Sequence, residues 1–158
     1  MKILSMKTTI FLGAMLSLLV CLMFTGCSNS ETNSTSRGLT DFAHIEEEYL
    51  ATIDSLNWPD GITLPDKLED EDTGASFQVG YGETRASYLW EYSWMKEWLD
   101  TYNTDPERAE KALEELEKAF DMPYMGIDRC DDATRNYLRE NIDKAKLGDP
   151  SGFTESIR

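Results

Sequence analysis

The chain has 158 residues, with 30 Asp and Glu against 15 Lys and Arg, and a formal net charge of −15 at pH 7. Such a charge repels the phosphate backbone of nucleic acids and anionic lipid headgroups, which argues against nucleic-acid binding and against membrane attachment through a basic patch. It remains compatible with cations and with cationic partner surfaces. The length leaves room for one small folded domain.

The N-terminal region has the pattern of an exported protein. Lys2 and Lys7 give a positively charged start, residues 10–24 (IFLGAMLSLLVCLMF) are almost all apolar, and small residues precede Cys27. The apolar run has 15 residues, fewer than the ~20 that a membrane-spanning helix needs. This favours a cleaved signal peptide over a permanent transmembrane anchor.

The residues at the end of this segment are more specific. Phe24-Thr25-Gly26-Cys27 resembles the lipobox of bacterial prolipoproteins, a family that more often has leucine where Phe24 stands. The resemblance covers residues 1–28 and implies that Cys27 receives a diacylglyceryl group on its sulfur and becomes the N-terminus after cleavage. It also implies attachment to the cell membrane or outer envelope on the extracytoplasmic side. The alternative is an ordinary secretory signal that happens to precede a cysteine.

These features divide the chain into four parts. Residues 1–26 are the predicted signal peptide, and residues 27–38 are a lipidated flexible tether, because the stretch SNSETNSTSR contains no apolar residue. Residues 39–150 are the predicted helical domain, and residues 151–158 are a C-terminal tail. Loss of Lys2 and Lys7 with the signal peptide leaves 13 basic residues against 30 acidic ones, a net charge of −17.

The domain is predicted to be all-α, with about four helices and one long irregular connection. Apolar residues at steps of three and four predict helices over about 41–56, 83–102, 105–120 and 131–147. The 26 residues from 57 to 82 contain two prolines and four glycines, which exclude a long regular element. The side chains of residues 77–81 alternate in character, which predicts a short extended segment. Cys130 is expected to be a small buried residue rather than a reactive thiol.

The second helix is unusually rich in aromatic residues. Trp90, Trp94 and Trp98 lie within about 80° of one another on a helical wheel, and the whole apolar arc covers more than half of the circumference. Such a helix is normally the central one of a bundle. The alternative is a partly exposed tryptophan strip that stacks on a glycan, a peptide or a partner helix, with Trp94 structural and Trp90 the best candidate for a surface contact.

Other motifs give weak support for specific chemistry. The acidic run formed by Asp66, Glu69, Asp70, Glu71 and Asp72 lacks the ligand spacing of an EF-hand, so a solvated loop is expected there. His44 is the only histidine, and without a second His or Cys it predicts no zinc site of the usual composition. No Gly-x-Ser-x-Gly motif occurs. The sequence therefore predicts no catalytic residue, no metal site and no cofactor.

The leading functional hypothesis is a lipid-anchored envelope protein with a small, non-catalytic binding or interaction domain whose partner is an envelope protein or a glycan. One alternative is a small envelope hydrolase that uses paired carboxylates, and another is a lipoprotein that binds a divalent cation. The hydrolase predicts a concave pocket with two acids of raised pKa. The interaction hypothesis predicts an exposed apolar strip.

Lipidation at Cys27 is tested by metabolic labelling with a fatty acid in cells that carry the wild type or the Cys27→Ser variant. We expect label in the wild type alone, because the thiol is the acceptor of the lipid. Equal labelling of both proteins would rule out this anchor.

Overall fold

The computed structural model describes residues 38–158, and the predicted lipidation site Cys27 lies outside this part. The described elements are β1 (Leu39–Thr40), α1 (Phe42–Ser55), β2 (Phe77–Gln78), α2 (Tyr81–Thr101), α3 (Pro106–Glu117), α4 (Asp132–Lys146) and α5 (Ser151–Ser156). Two short 3-10 turns, Lys118–Asp121 and Pro123–Met125, link α3 to α4. The predicted all-α class is confirmed. Within this range, every helix is too short or too polar to cross a membrane.

The only sheet in the described part is a two-stranded ribbon. β1 and β2 pair antiparallel, with Leu39 opposite Gln78 and Thr40 opposite Phe77. The second of these strands lies in the segment that the sequence predicts to be extended. The ribbon closes the long connection, because it returns the chain to the start of α1 just before α2 begins.

Three helices begin directly after an aspartate. Asp41, Asp105 and Asp131 precede α1, α3 and α4, and each side chain accepts a hydrogen bond from the backbone N–H three residues later. This contact satisfies one of the N–H groups that the first turn of a helix leaves unpaired.

α2 begins in a different way, and two residues earlier than predicted. Gly80 precedes it in the left-handed region, with a φ of 87°, and offers no side chain as a cap. Glu48 of α1 supplies the cap instead, since its carboxylate accepts from the backbone N–H groups of Gly80 at 2.7 Å and Gly82 at 3.1 Å. A negative charge at this position also interacts favourably with the helix dipole. The start of α2 therefore depends on a residue of another helix.

α1 and α2 touch backbone to backbone at Gly82. A Cβ atom at this position would lie 1.8 Å from the carbonyl oxygen of Ile45 in α1. Only glycine allows this approach. Ile45, Tyr49 and Ile53 of α1 then pack with Ala86 of α2 and with Leu68 of the connection to form one of the two apolar clusters.

The three tryptophans of α2 belong to the core. Trp90, Trp94 and Trp98 are 1%, 1% and 2% exposed, so the central-helix interpretation is confirmed and the exposed strip is wrong, including for Trp90. Their cluster contains α3, α4 and α5 residues such as Leu116, Leu138 and Phe153. The indole N–H groups of Trp90 and Trp94 both donate to the carbonyl oxygen of Asn57, at 2.8 and 3.1 Å. The connection after α1 thus covers the face that the strip hypothesis leaves open.

The C-terminal residues are not a tail. α5 forms there, and Phe153 is buried with its ring edge-on to Trp98 at 5.3 Å between centroids. Gly152 permits close contact with α4, because a Cβ atom would lie 2.4 Å from Oδ1 of Asn141. α5 has six residues, which are too few to show a periodic pattern in the sequence. The helical domain therefore continues beyond the predicted boundary at 150.

We expect Gly82→Ala to lower the free energy of unfolding by at least about 2 kcal/mol, because the added methyl group must push α1 away from α2. Gly74→Ala is the matched control, since a Cβ there meets nothing closer than a side-chain oxygen of Asp72 at 3.4 Å. Urea unfolding of both variants measures the difference. Equal stability of the two variants would contradict the backbone contact.

Candidate functional site

The face of α2 opposite the tryptophans remains partly open. Tyr88 is 50% exposed and Tyr92 is 45% exposed. They lie four residues apart, so their side chains are neighbours on one helix face. Tyr88 and Tyr92 are the one pair of large exposed apolar side chains in the described region that lies a single helical turn apart.

These two rings border a cavity of about 380 Å³ between α1, the long connection and α2. We call it the tyrosine groove. Buried Tyr49 and Leu68 and half-buried Leu89 form its apolar part. The remaining lining residues are Pro65, Lys67, Glu69, Asp70 and Arg85, of which the last four bring two positive and two negative charges. The volume falls within the usual range of small-molecule sites.

Glu69 and Asp70 of the acidic run form one wall of the groove. Leu68 is anchored there, because its backbone N–H donates to the Glu46 carboxylate of α1 at 3.3 Å. Glu71 turns inward, where one oxygen accepts from the Tyr81 hydroxyl at 2.8 Å and lies 3.4 Å from Arg85 Nε. Within residues 38–158, no group of three or more His, Cys, Asp or Glu side chains is arranged to hold a metal ion.

A polar pair formed by buried Tyr124 and half-buried Glu91 supports the groove from behind. Tyr124 is 2% exposed, and its hydroxyl donates to Oε2 of Glu91 at 2.8 Å. The Tyr88 ring meets the Tyr124 ring edge-on, with 5.6 Å between centroids. Burial raises the pKa of Glu91, and the hydrogen bond from Tyr124 offsets part of that rise. The pKa of Tyr124 is also raised, chiefly by burial and then by the negative charge of Glu91.

The pair does not have the composition that the hydrolase hypothesis predicts. Glu91 is hydrogen-bonded to a tyrosine rather than to a second carboxyl, and it does not line the tyrosine groove.

His44 is exposed, and its Nε2 lies 3.4 Å from Glu48, the carboxylate that caps α2. Cys130 is buried as predicted, and burial raises the pKa of its thiol.

The exposed aromatic face of α2 carries Tyr88 and Tyr92 rather than the tryptophans of the strip hypothesis. Arg85 and Lys96 continue the Tyr88–Tyr92 face at steps of three and four residues. Charged residues at that spacing are the signal that could have identified the face as solvent-exposed.

Comparisons with protein-family models, with curated proteins and with solved structures find no match to this chain.

Replacing Glu91 by glutamine tests the effect of partial burial on this carboxylate. Because burial raises the pKa of Glu91 above its ordinary value of 4.5, the folded state binds a proton more tightly than the unfolded chain does, and this group makes stability fall as the pH rises through that window. Glutamine still accepts from Tyr124 but carries no charge. We expect Glu91→Gln to melt at a higher temperature than the wild type at pH 7, with an advantage that disappears as the pH falls toward 4.5.

The control for this experiment is Glu47→Gln, which changes an exposed carboxylate on α1. Thermal melts of both variants are followed by circular dichroism across the pH range. A Glu91→Gln advantage that is independent of pH, or absent at pH 7, would contradict the desolvation of this carboxylate.

Proposed function

We propose that this chain is a lipid-anchored protein of the bacterial cell envelope whose helical domain is a non-catalytic binding module that holds a glycan in the tyrosine groove. The observation that carries the proposal is the pair of half-exposed rings, Tyr88 and Tyr92, above a cavity with an apolar floor and a charged rim. The proposal has two parts, the anchor and the ligand.

The anchor is supported by the lipobox-like junction before Cys27 and by the polar stretch that follows it. The described domain begins directly after that stretch, where Val79 donates its backbone N–H to the carbonyl of Gly38 at 3.0 Å. A lipid on Cys27 would thus hold the domain close to the membrane through a short polar spacer. The strongly acidic surface offers no other means of attachment to anionic lipid.

A saccharide fits the chemistry of the groove. Its pyranose ring has apolar C–H faces that stack on aromatic rings, and its hydroxyls both donate and accept hydrogen bonds. Tyr88 and Tyr92 supply the rings, Lys67 and Arg85 supply donors, and Glu69 and Asp70 supply acceptors. A few polar groups around an aromatic surface are typical of small-ligand sites. The balance of the four charges favours a neutral or zwitterionic sugar over a polyanion.

A polypeptide partner fits this face less well. Stable protein interfaces bury about 800 Å² on each partner around an apolar centre that is poor in charges. Here the exposed apolar surface consists of two rings, and charged residues adjoin them along α2, with Arg85 before them and Lys96 after them. A segment of polypeptide is therefore the alternative that the test must separate.

The test is sedimentation of the full chain with purified cell-wall sacculi. We expect saturable binding by the wild type and an affinity lower by about tenfold or more for Tyr88→Ala/Tyr92→Ala, because exposed aromatic contacts often dominate binding energy. Tyr137→Ala is the matched control, since Tyr137 on α4 is also 45% exposed and lies outside the groove. Circular dichroism shows whether each variant is folded.

Two results would contradict the proposal. One is equal binding by the wild type and the double variant, which would remove the groove from the interaction. The other is binding that disappears when the sacculi are treated with protease but survives glycan digestion, which would identify the ligand as a polypeptide.

A further inference from the structure

A second groove lies between the end of α2, α3 and the end of α4, with a cavity of about 460 Å³. We call it the α3–α4 groove. Its floor is apolar and consists of Trp98, Tyr102, Ala109, Leu113 and Ala145. Trp98 and Tyr102 stack at 4.6 Å between ring centroids, and Phe153 holds the Trp98 ring from another side. The floor is thus supported by core contacts.

One rim of this groove is a line of carboxylates. Glu110, Glu114 and Glu117 follow each other along α3 at steps of four and three residues, and all three are exposed. Glu117 is paired with Lys146 of the opposite rim. Within residues 38–158, Glu110 and Glu114 have no ion-pair partner. The rim therefore presents two uncompensated negative charges about one helical turn apart beside an apolar floor.

We propose that the α3–α4 groove binds a cationic amphipathic segment of a partner polypeptide. An apolar side chain of that segment would lie between Leu113 and the Trp98–Tyr102 stack, and its Lys or Arg residues would pair with Glu110 and Glu114. Charge complementarity of this kind sets orientation and speeds association. The proposal is independent of the tyrosine groove, which has no lining residue in common with this one.

The negative charge of the rim also decides which kind of molecule fits the α3–α4 groove. A second copy of the chain would bring an equally acidic surface to the same rim, and like charges placed together disfavour association. A free metal ion would use the carboxylates but leave the apolar floor uncovered, and the described side chains form no metal-binding cluster there. A basic amphipathic helix satisfies both parts of the groove, because its apolar stripe and its charges lie side by side.

The probe is a synthetic helical peptide with leucines at steps of three and four residues and lysines at the other positions. A matched peptide has glutamine in place of each lysine, and a second has serine in place of each leucine. Affinity for the full chain in zwitterionic lipid nanodiscs is measured by fluorescence anisotropy at physiological salt, with empty nanodiscs subtracted. We expect saturable binding of the Leu–Lys peptide and at least about tenfold weaker binding of both matched peptides.

Variants of α3 residues test whether the peptide binds in this groove. Glu110→Gln/Glu114→Gln should weaken binding of the Leu–Lys peptide by about tenfold, and Leu113→Ala should weaken it by several-fold through the apolar floor. Glu47→Gln/Asp54→Asn on α1 is the matched control, because it removes the same charge from two exposed residues outside this groove. We expect less than a twofold effect from it.

Equal losses in the two double variants would show that net charge alone attracts the peptide and would overturn the proposal. Unchanged affinity in Glu110→Gln/Glu114→Gln would do the same. Sedimentation velocity of the full chain tests the competing occupant, and a dimer that dissociates in Leu113→Ala would assign the groove to a second copy instead.

Discussion

The carbonyl oxygen of Asn57 accepts hydrogen bonds from two buried indoles, and the arrangement of the domain depends on this contact. A buried Trp N–H that lacks a partner costs free energy, so two such groups in the core of α2 must find an acceptor. The chain provides one two residues after the end of α1, at Asn57. A single oxygen thus holds the start of the long connection against the middle of α2.

The same contact decides which surface of α2 is left for binding. Residues 57 and 58, together with α3 and α5, cover the tryptophan side of α2. The aromatic residues that reach solvent are therefore Tyr88 and Tyr92 on the opposite side. The connection then continues to Leu68, which the Glu46 carboxylate holds in place. Two residues of its acidic run, Glu69 and Asp70, form a wall of the groove that Tyr88 and Tyr92 also line. Its length is therefore accounted for by two tasks, since it closes the core and builds one side of the tyrosine groove.

The junction of α1 and α2 fixes the position of this wall. Gly82 allows backbone contact with Ile45, and Glu48 caps α2 from the neighbouring helix, so the two helices cannot shift independently. The α3–α4 groove depends on other contacts, namely the stack of Trp98 on Tyr102 and the edge-on packing of Phe153. The domain thus presents two grooves of different charge, one with balanced charges and one acidic.

The sequence predicted much of the fold, because its signals are local. Asp41, Asp105 and Asp131 are capping residues next to clear apolar periodicity, and the structure begins a helix after each of them. The start of α2 was misplaced because its cap, Glu48, is distant in the chain, and α5 was missed because six residues are too few to show a period. The candidate site was placed wrongly for a related reason. The burial of Trp90 depends on Asn57, which no helical wheel of α2 includes.

Hydrogen exchange of the indole N–H protons, followed by NMR, tests the central contact most directly. We expect the N–H protons of Trp90 and Trp94 to exchange only through global unfolding, so that their exchange free energies equal the unfolding free energy measured with denaturant. Fast exchange of both protons in the folded protein would contradict the burial of these indoles under Asn57. It would mean that the connection does not cover α2 and that the tryptophan side is open to solvent.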